Sequence, residues 1–262
     1  MTFALDEYAG LDSPLHRWDQ RMKLVGMMAL IFAFSYVRAP LVLAAMFSVT
    51  AALHGLSRLP LSYTLRRMEY PGVFLLAILL ILPFASGHTV VASLGALELK
   101  REGLLSVALI ASRFICILTM GFILFGTAPF LTTVRAMQSL GLPSLLADMV
   151  MLTFRYLHEI GGDLQRMQTA MRLRAFKGGG FGIRRLPTFA WLGGSVLVRS
   201  YERSESVYRA MLLRGYGEAG THGIEFKAHR RDILLLALFL TLATAFVAAD
   251  VVCGHGFVCP LQ

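Results

Sequence analysis

Charge is scarce in this chain. Only 16% of its 262 residues are Asp, Glu, Lys or Arg, whereas a soluble domain carries about 25%. Leu, Ala, Phe, Met and Val take the place of the missing charge, and hydrophobic residues reach 56%. A soluble fold of this length needs a charged shell, which this composition cannot supply everywhere, so part of the surface is expected to face lipid. Cysteine is scarce too. The three present are Cys116, Cys253 and Cys259, with no C-x-x-C pair, and the seven His residues are scattered without metal-ligand spacing. Cys116 sits in an apolar run and reads as packing. The tail Cys253-x-His255-x-x-x-Cys259 is not a standard zinc pattern, and a disulfide in an oxidising compartment is the better reading. No Gly-rich phosphate loop, paired catalytic carboxylates or Ser–His–Asp pattern occurs. No catalytic residue, metal site or cofactor is therefore assigned to this chain. A cleavable signal is also absent, so the first span is expected to act as the insertion signal.

The charges that are present fall unevenly. Lys and Arg number 25 against 16 acids. In a soluble protein this excess would suggest nucleic acid; here the positive-inside rule explains it without a ligand, and no nucleic-acid partner is expected. Apolar runs occupy residues 22–37, 41–56, 72–86, 104–126 and 233–252. A straight span needs about 20 residues. The last two runs satisfy this, and the first three are expected to extend into flanking polar residues or to be broken. Pro40 and Pro71 suit helix starts, and Pro83 should kink or stop the third helix. Residues 89–99 read as a short extended or re-entrant loop. With the N-terminus in the cytoplasm, residues 1–23, 57–70 and 127–232 place 21 Lys/Arg inside, and only Arg38, Lys100 and Arg101 lie outside. Five spans then put the C-terminus outside. The expected fold is an all-α membrane protein. Its parts are a bundle over 1–126, a cytoplasmic helical region over 127–231, and a fifth transmembrane helix with an outer tail over 232–262.

The region between spans four and five is polar but helical in period. Met149, Leu152, Tyr156, Ile160, Leu164, Met167 and Met171 form one apolar stripe. Glycines 178–180 are expected to end that helix. A second helix is expected over 186–214, with an apolar edge at Tyr201, Tyr208, Met211 and Leu212. Small residues (Gly193, Gly194, Ser195, Ser200, Ser204) should let another helix approach it. A shorter helix over 130–140 precedes both. The two long helices close alike, with Met171-Arg172-Leu173-Arg174-Ala175-Phe176 and Met211-Leu212-Leu213-Arg214-Gly215-Tyr216, a repeat at a spacing of 40 residues. Each arginine lies three residues after its methionine, at the tip of an apolar stripe and on the face expected to pack. Two readings stand at this point: arginine caps that complement the helix dipole, and docking residues.

The chain resembles the transmembrane T component of energy-coupling factor (ECF) importers, in its CbiQ branch. Four stretches carry the likeness. They are Ser13-Pro14-Leu15-His16-Arg17-Trp18-Asp19-Gln20-Arg21-Met22-Lys23-Leu24, Leu152-Thr153-Phe154-Arg155-Tyr156, Leu197-Val198-Arg199-Ser200-Tyr201-Glu202-Arg203-Ser204-Glu205, and Tyr208-Arg209-Ala210-Met211-Leu212-Leu213-Arg214-Gly215-Tyr216. The resemblance implies cytoplasmic coupling helices whose arginine motifs, here around Arg174 and Arg214, each dock into one of two ABC-type ATPase subunits. Both motifs carry Leu where the family often has Ala. Met171, Ala175 and Phe176 would flank one docking arginine, and Met211, Gly215 and Tyr216 the other. It also implies a metal-binding membrane S component of the CbiM type, with a small CbiN-type subunit in some systems. ATP and Mg belong to the partner ATPases. Cobalt is the expected cargo, with nickel or vitamin importers as alternatives. The setting would be a bacterial inner membrane, with lipid as the surrounding partner.

Arg113 falls inside the fourth span and is expected to serve structure, through a packing partner or by snorkelling toward residues 100–102. Arg199, Glu202, Arg203 and Glu205 form a charge ladder. The resemblance favours Arg199 or Glu202 as the member that joins helix to helix. Two other classes compete with the coupling subunit. A membrane enzyme would need converging His, Asp or Glu clusters. A substrate-binding permease would need facing polar groups at mid-membrane, where only Arg113 is on offer.

Overall fold

The computed structural model describes residues 11–37, 39–85, 90–94, 97–174, 186–216 and 229–256. Its elements are α1 (Gln20–Tyr36), α2 (Pro40–Ser57), α3 (Leu61–Ala85), a β-hairpin of β1 (Val90–Leu94) and β2 (Leu97–Lys100), α4 (Arg101–Gly126), α5 (Phe130–Ser139), α6 (Ser144–Leu173), α7 (Leu186–Leu213) and α8 (Arg230–Gly256). The chain divides into two compact units. One contains residues 137–225, and the other contains 5–136 and 226–262.

In the larger unit, α1 starts where Asp19 accepts a hydrogen bond from the Arg21 N–H at 2.9 Å. Its inward face follows the helical period through Lys23, Met27, Leu30, Phe34 and Val37, all buried. This face packs on α8. Phe34 meets Phe246 edge-on at 5.1 Å, and Trp18 meets Phe239 at 4.9 Å. A Cβ on Gly26 would stand 3.2 Å from the Phe239 Cβ, so the bare backbone permits this crossing. From α4, Cys116, Met120, Ile123 and Leu124 complete the core. Cys116 is buried and free, as its apolar setting implies.

The α1–α2 turn is held from two sides. Arg113 Nη2 on α4 donates to the Val37 carbonyl, and Asp250 on α8 accepts from the Ala39 N–H at 2.8 Å. Arg113 thus binds a helix end, the structural role expected of it, while the side chains of residues 100–102 lie outside the described ones. Helix α2 starts at Pro40 as its ring geometry favours. The third helix extends into the polar residues ahead of its apolar run, as expected, but Pro71 does not start it. It begins at Leu61, and Pro71 lies within it. Tyr63 and Thr64 in its first turns are buried, and a Cβ on Gly126 would stand 3.1 Å from the Tyr63 hydroxyl, so packing extends the helix ahead of its apolar run.

Two helical stretches among the described residues are long and apolar enough to cross a membrane, Ser106–Gly126 and Arg230–Val252. Val42–Ser57 is apolar but shorter. Helices α1 and α2 barely outrun their apolar stretches, at 17 and 18 residues. Large apolar side chains remain exposed along α3 (Val73, Phe74, Leu76, Leu80, Ile81) and α8 (Ile233, Leu234, Leu238). Water penalises a belt of this kind, whereas hydrocarbon accepts it.

The segment before α1 is tied to the corner between α4 and α5. Lys23 Nζ, fully buried, donates to the Leu15 carbonyl at 3.2 Å and to the Thr127 carbonyl and hydroxyl at 3.4 and 3.0 Å. Gln20 Nε2 donates to Thr133 Oγ1 at 3.0 Å. The stretch that begins the family resemblance therefore builds the corner that feeds α5.

Candidate functional site

The unit of residues 137–225 is built around α6 and α7. These helices run antiparallel, because contacts late on one fall early on the other. Tyr216, just past the end of α7, donates its hydroxyl to Asp148 Oδ2 near the start of α6 at 3.0 Å. This hydrogen bond to a carboxylate holds the phenol's pKa above its ordinary value. Midway along, Arg203 Nη1 on α7 lies 3.1 Å from Glu159 and 3.3 Å from Asp163 on α6. Of the four charges in the ladder, Arg203 makes the interhelical bridge; neither Arg199 nor Glu202 does. Arg209 pairs with Glu205 on its own helix. The space between the helices, bounded by Ile160, Met167, Val196 and Ser200, amounts to about 10 Å³ and has no room for a substrate.

The sequence repeat reaches different positions and different geometries in space. Helix α7 ends in a Schellman motif. Gly215 takes φ +77° and donates to the Leu212 carbonyl, and Tyr216 N–H donates to the Met211 carbonyl at 3.0 Å. Helix α6 stops at Leu173, ahead of glycines 178–180. Arg174 (φ −83°) caps it with an N–H donated to the Ala170 carbonyl at 3.2 Å. Ala175, Phe176 and glycines 178–180 lie outside the described residues, as do the side chains of Cys253, His255 and Cys259. Because α6 and α7 are antiparallel, Arg174 and Arg214 mark opposite ends of the pair. A rise of 1.5 Å per residue puts them on the order of 35 Å apart.

Both tips are open. Leu173 and Leu213, which precede the arginines, are 84% and 90% exposed, and Arg174 and Arg214 are exposed beside them. Met171 and Met211 are half-buried one turn earlier. The apolar faces are mostly unspent within the chain. Among described residues α6 buries Ala147 alone, and α7 buries none. Tyr201, Tyr208 and Leu212, expected as a packing edge, are exposed, and added Cβ atoms on Gly193 or Gly194 would meet nothing within 4 Å. The edge expected on α7 is thus largely a free surface, whereas the α6 stripe is half-buried from Leu152 to Met171, with Ile160 and Met167 turned toward α7. No cluster of His, Cys, Asp or Glu placed to hold a metal occurs among the described residues.

The Arg203 bridge gives a direct check on the helix pair. Arg203→Glu sets a third carboxylate against Glu159 and Asp163. It should lower the thermal stability of the detergent-purified chain by about 1 kcal/mol, an amount set by the partial exposure of all three groups. Combining Arg203→Asp with Asp163→Arg should recover part of the loss; no recovery would show that the pair does not couple α6 to α7.

Known proteins provide a second line. A family model described as "CbiQ: Cobalt transport protein" matches residues 12–223. The energy-coupling factor transporter transmembrane protein EcfT of Lactococcus lactis subsp. cremoris is 26% identical over 258 residues, covering 93% of this chain and 96% of that one. The EcfT of Limosilactobacillus fermentum is 25% identical over 262 residues, with the same coverage. A putative fused cobalt transport protein CbiMQ of Methanocorpusculum labreanum is 26% identical over 142 residues, covering 53% of this chain and 23% of that protein. With membrane-length apolar helices in one unit and a matched pair of arginine-tipped helices in the other, the chain belongs to the CbiQ family of cobalt transport proteins.

Proposed function

We propose that the chain is the non-catalytic coupling subunit of an ATP-driven ECF importer, with cobalt as the cargo. One observation carries the reading: two exposed arginine tips stand at opposite ends of a stiff antiparallel helix pair. A guanidinium offers a planar fork to a carboxylate, and two such forks on the order of 35 Å apart suit two separate partners better than one. Each tip docks one ABC-type ATPase subunit, which supplies ATP and Mg. Closure of the ATPase pair moves α6 and α7, and a CbiM-type metal-binding S component, with a CbiN-type subunit where present, receives that motion. The chain holds no cofactor of its own. Cobalt is supported by the family description and by the fused CbiMQ relative. The EcfT names carry no metal, which keeps a nickel or vitamin importer as the second reading. The isolated chain should neither hydrolyse ATP nor bind Co²⁺ tightly, as calorimetry can establish. Micromolar Co²⁺ binding that survives removal of residues 253–262 would favour a permease.

The proposed architecture has five spans, formed from α1, α2, the apolar part of α3, α4 and α8. Residues 1–126 and 232–262 belong to the membrane part and 127–231 to the cytoplasmic part. The Lys/Arg asymmetry orients the N-terminus inward and the C-terminus outward in a bacterial inner membrane. Labelling of single-cysteine variants in intact cells with a membrane-impermeant thiol reagent, after reduction, should reach Cys253 or Cys259 and miss a cysteine placed at 178–180. The inverse pattern would overturn the orientation.

A further inference from the structure

We propose that the first turn of α8 forms one wall of a binding cleft for the phosphodiester headgroup of an anionic phospholipid. Three separate stretches converge on an open cleft of about 1000 Å³: the segment before α1, the α2–α3 turn and the start of α8. They bring in Arg17, Arg58, Arg230 and Arg231, all exposed. The two carboxylates of the cleft are already engaged. Asp232 is buried and accepts from the His229 N–H at 3.0 Å, capping α8, and Asp12 lies 3.7 Å from Arg17. Arg58 is held at the rim by a left-handed backbone (φ +54°) and donates to the Asp12 carbonyl at 3.5 Å. The cleft is therefore cationic.

Its wall also includes Trp18. This side chain is 5% exposed, and its indole N–H has no acceptor among the described residues. That nitrogen is buried, so a phosphate, which only accepts at its anionic oxygens, is complemented by the arginines, with the Trp18 ring as part of the wall beside them. The apolar side of the cleft decides the source of the phosphate. Leu235 lines it, and Ile233, Leu234 and Leu238 continue as exposed apolar surface along α8, a helix long and apolar enough to cross a membrane. An amphiphile with an anionic head and an acyl tail matches this sequence of surfaces; a soluble phosphate matches only the first part of it. The inference rests on α8 crossing the membrane and is independent of docking by Arg174 and Arg214.

The chain has two tryptophans, so Trp191→Phe leaves Trp18 as a reporter in the cleft. The full chain carrying this change is placed in phosphatidylcholine bilayers doped with brominated phosphatidylglycerol or, separately, brominated phosphatidylcholine. Trp18 should be quenched preferentially by the anionic lipid, with a relative affinity of about tenfold or more. Arg58→Gln, at an exposed turn, should reduce that preference about fivefold. Arg230→Gln with Arg231→Gln should bring it near parity, whereas lysine at both positions should retain most of it. Arg66→Gln and Arg155→Gln, outside the cleft, should leave it unchanged, as should millimolar inorganic phosphate. Equal quenching by both lipids, a preference that survives loss of the cleft arginines, or its abolition by inorganic phosphate would each overturn the proposal. Bilayer insertion is scored separately by flotation, and normal flotation without lipid preference counts against the cleft alone.

Discussion

Replacing both Arg174 and Arg214 by alanine is expected to release the ATPase subunits and abolish uptake, while the chain itself remains inserted and folded. The size of the effect separates the two roles open to an arginine at a helix end. Losing a cation that merely complements the helix dipole costs about 0.3–1 kcal/mol. Removing one side of a buried interfacial charge pair costs about 2–5 kcal/mol, mostly because the other charge is left unpaired. Folding depends little on either arginine side chain. The α7 cap is made by the backbone of Gly215 and Tyr216, and the Arg174 cap by its own N–H. Both substitutions should therefore leave the melting temperature of the purified chain nearly unchanged. Each single change should weaken ATPase retention, and lysine should give an intermediate result, since it keeps the charge but loses the fork. Arg172 and Arg209 are controls that should matter much less; Arg209 is already paired with Glu205. Normal ATPase co-purification and uptake by the double alanine variant would reduce both arginines to helix caps.

Lys23→Glu is expected to remove the folded chain from the membrane altogether. Lys23 is fully buried, and its ammonium serves three acceptors, the Leu15 carbonyl and both oxygens of Thr127. A carboxylate there would confront oxygen with oxygen, leaving a buried charge without a donor, at a cost on the order of 3–5 kcal/mol. Lys23→Met keeps the apolar stem but strands the acceptors, and should cost about 1–3 kcal/mol. Fluorescence-detected size exclusion followed by thermal melting in detergent measures both. A Lys23→Glu chain that elutes and melts like the parent would show that the corner between α4 and α5 does not depend on this side chain.

These two sites differ in how far they could be read from sequence. The arginine tips were visible because the Met-x-Leu-Arg-small-aromatic pattern repeats, and Gly215 announces its own positive φ. Their placement at opposite ends follows from the antiparallel run of α6 and α7, which matched hexapeptides alone do not convey. In the sequence Lys23 counts only as one of the cations on the cytoplasmic side, at the edge of an apolar run. Its true partners are a turn just before it and Thr127, more than a hundred residues later, which no local pattern records. Likewise, the charge ladder on α7 offers two arginines a turn apart, Arg199 and Arg203. Both line the space beside α6, and Arg203 makes the bridge because Glu159 and Asp163 stand opposite it. The start of α3 was misplaced for a similar reason. Apolar runs mark where lipid is met, whereas burial of Tyr63 and Thr64 decides where the helix begins.

The central claim is that the two helix tips touch two ATPase subunits at once, and site-specific photo-crosslinking in intact cells tests it most directly. A photoreactive residue replaces Leu173 in one strain and Leu213 in another, both being highly exposed neighbours of the arginines. Each position should yield an adduct with an ATPase subunit, and a chain carrying both should yield a species with two ATPases attached. Adducts with ATPase from neither position, while the same complex transports its cargo normally, would contradict the account.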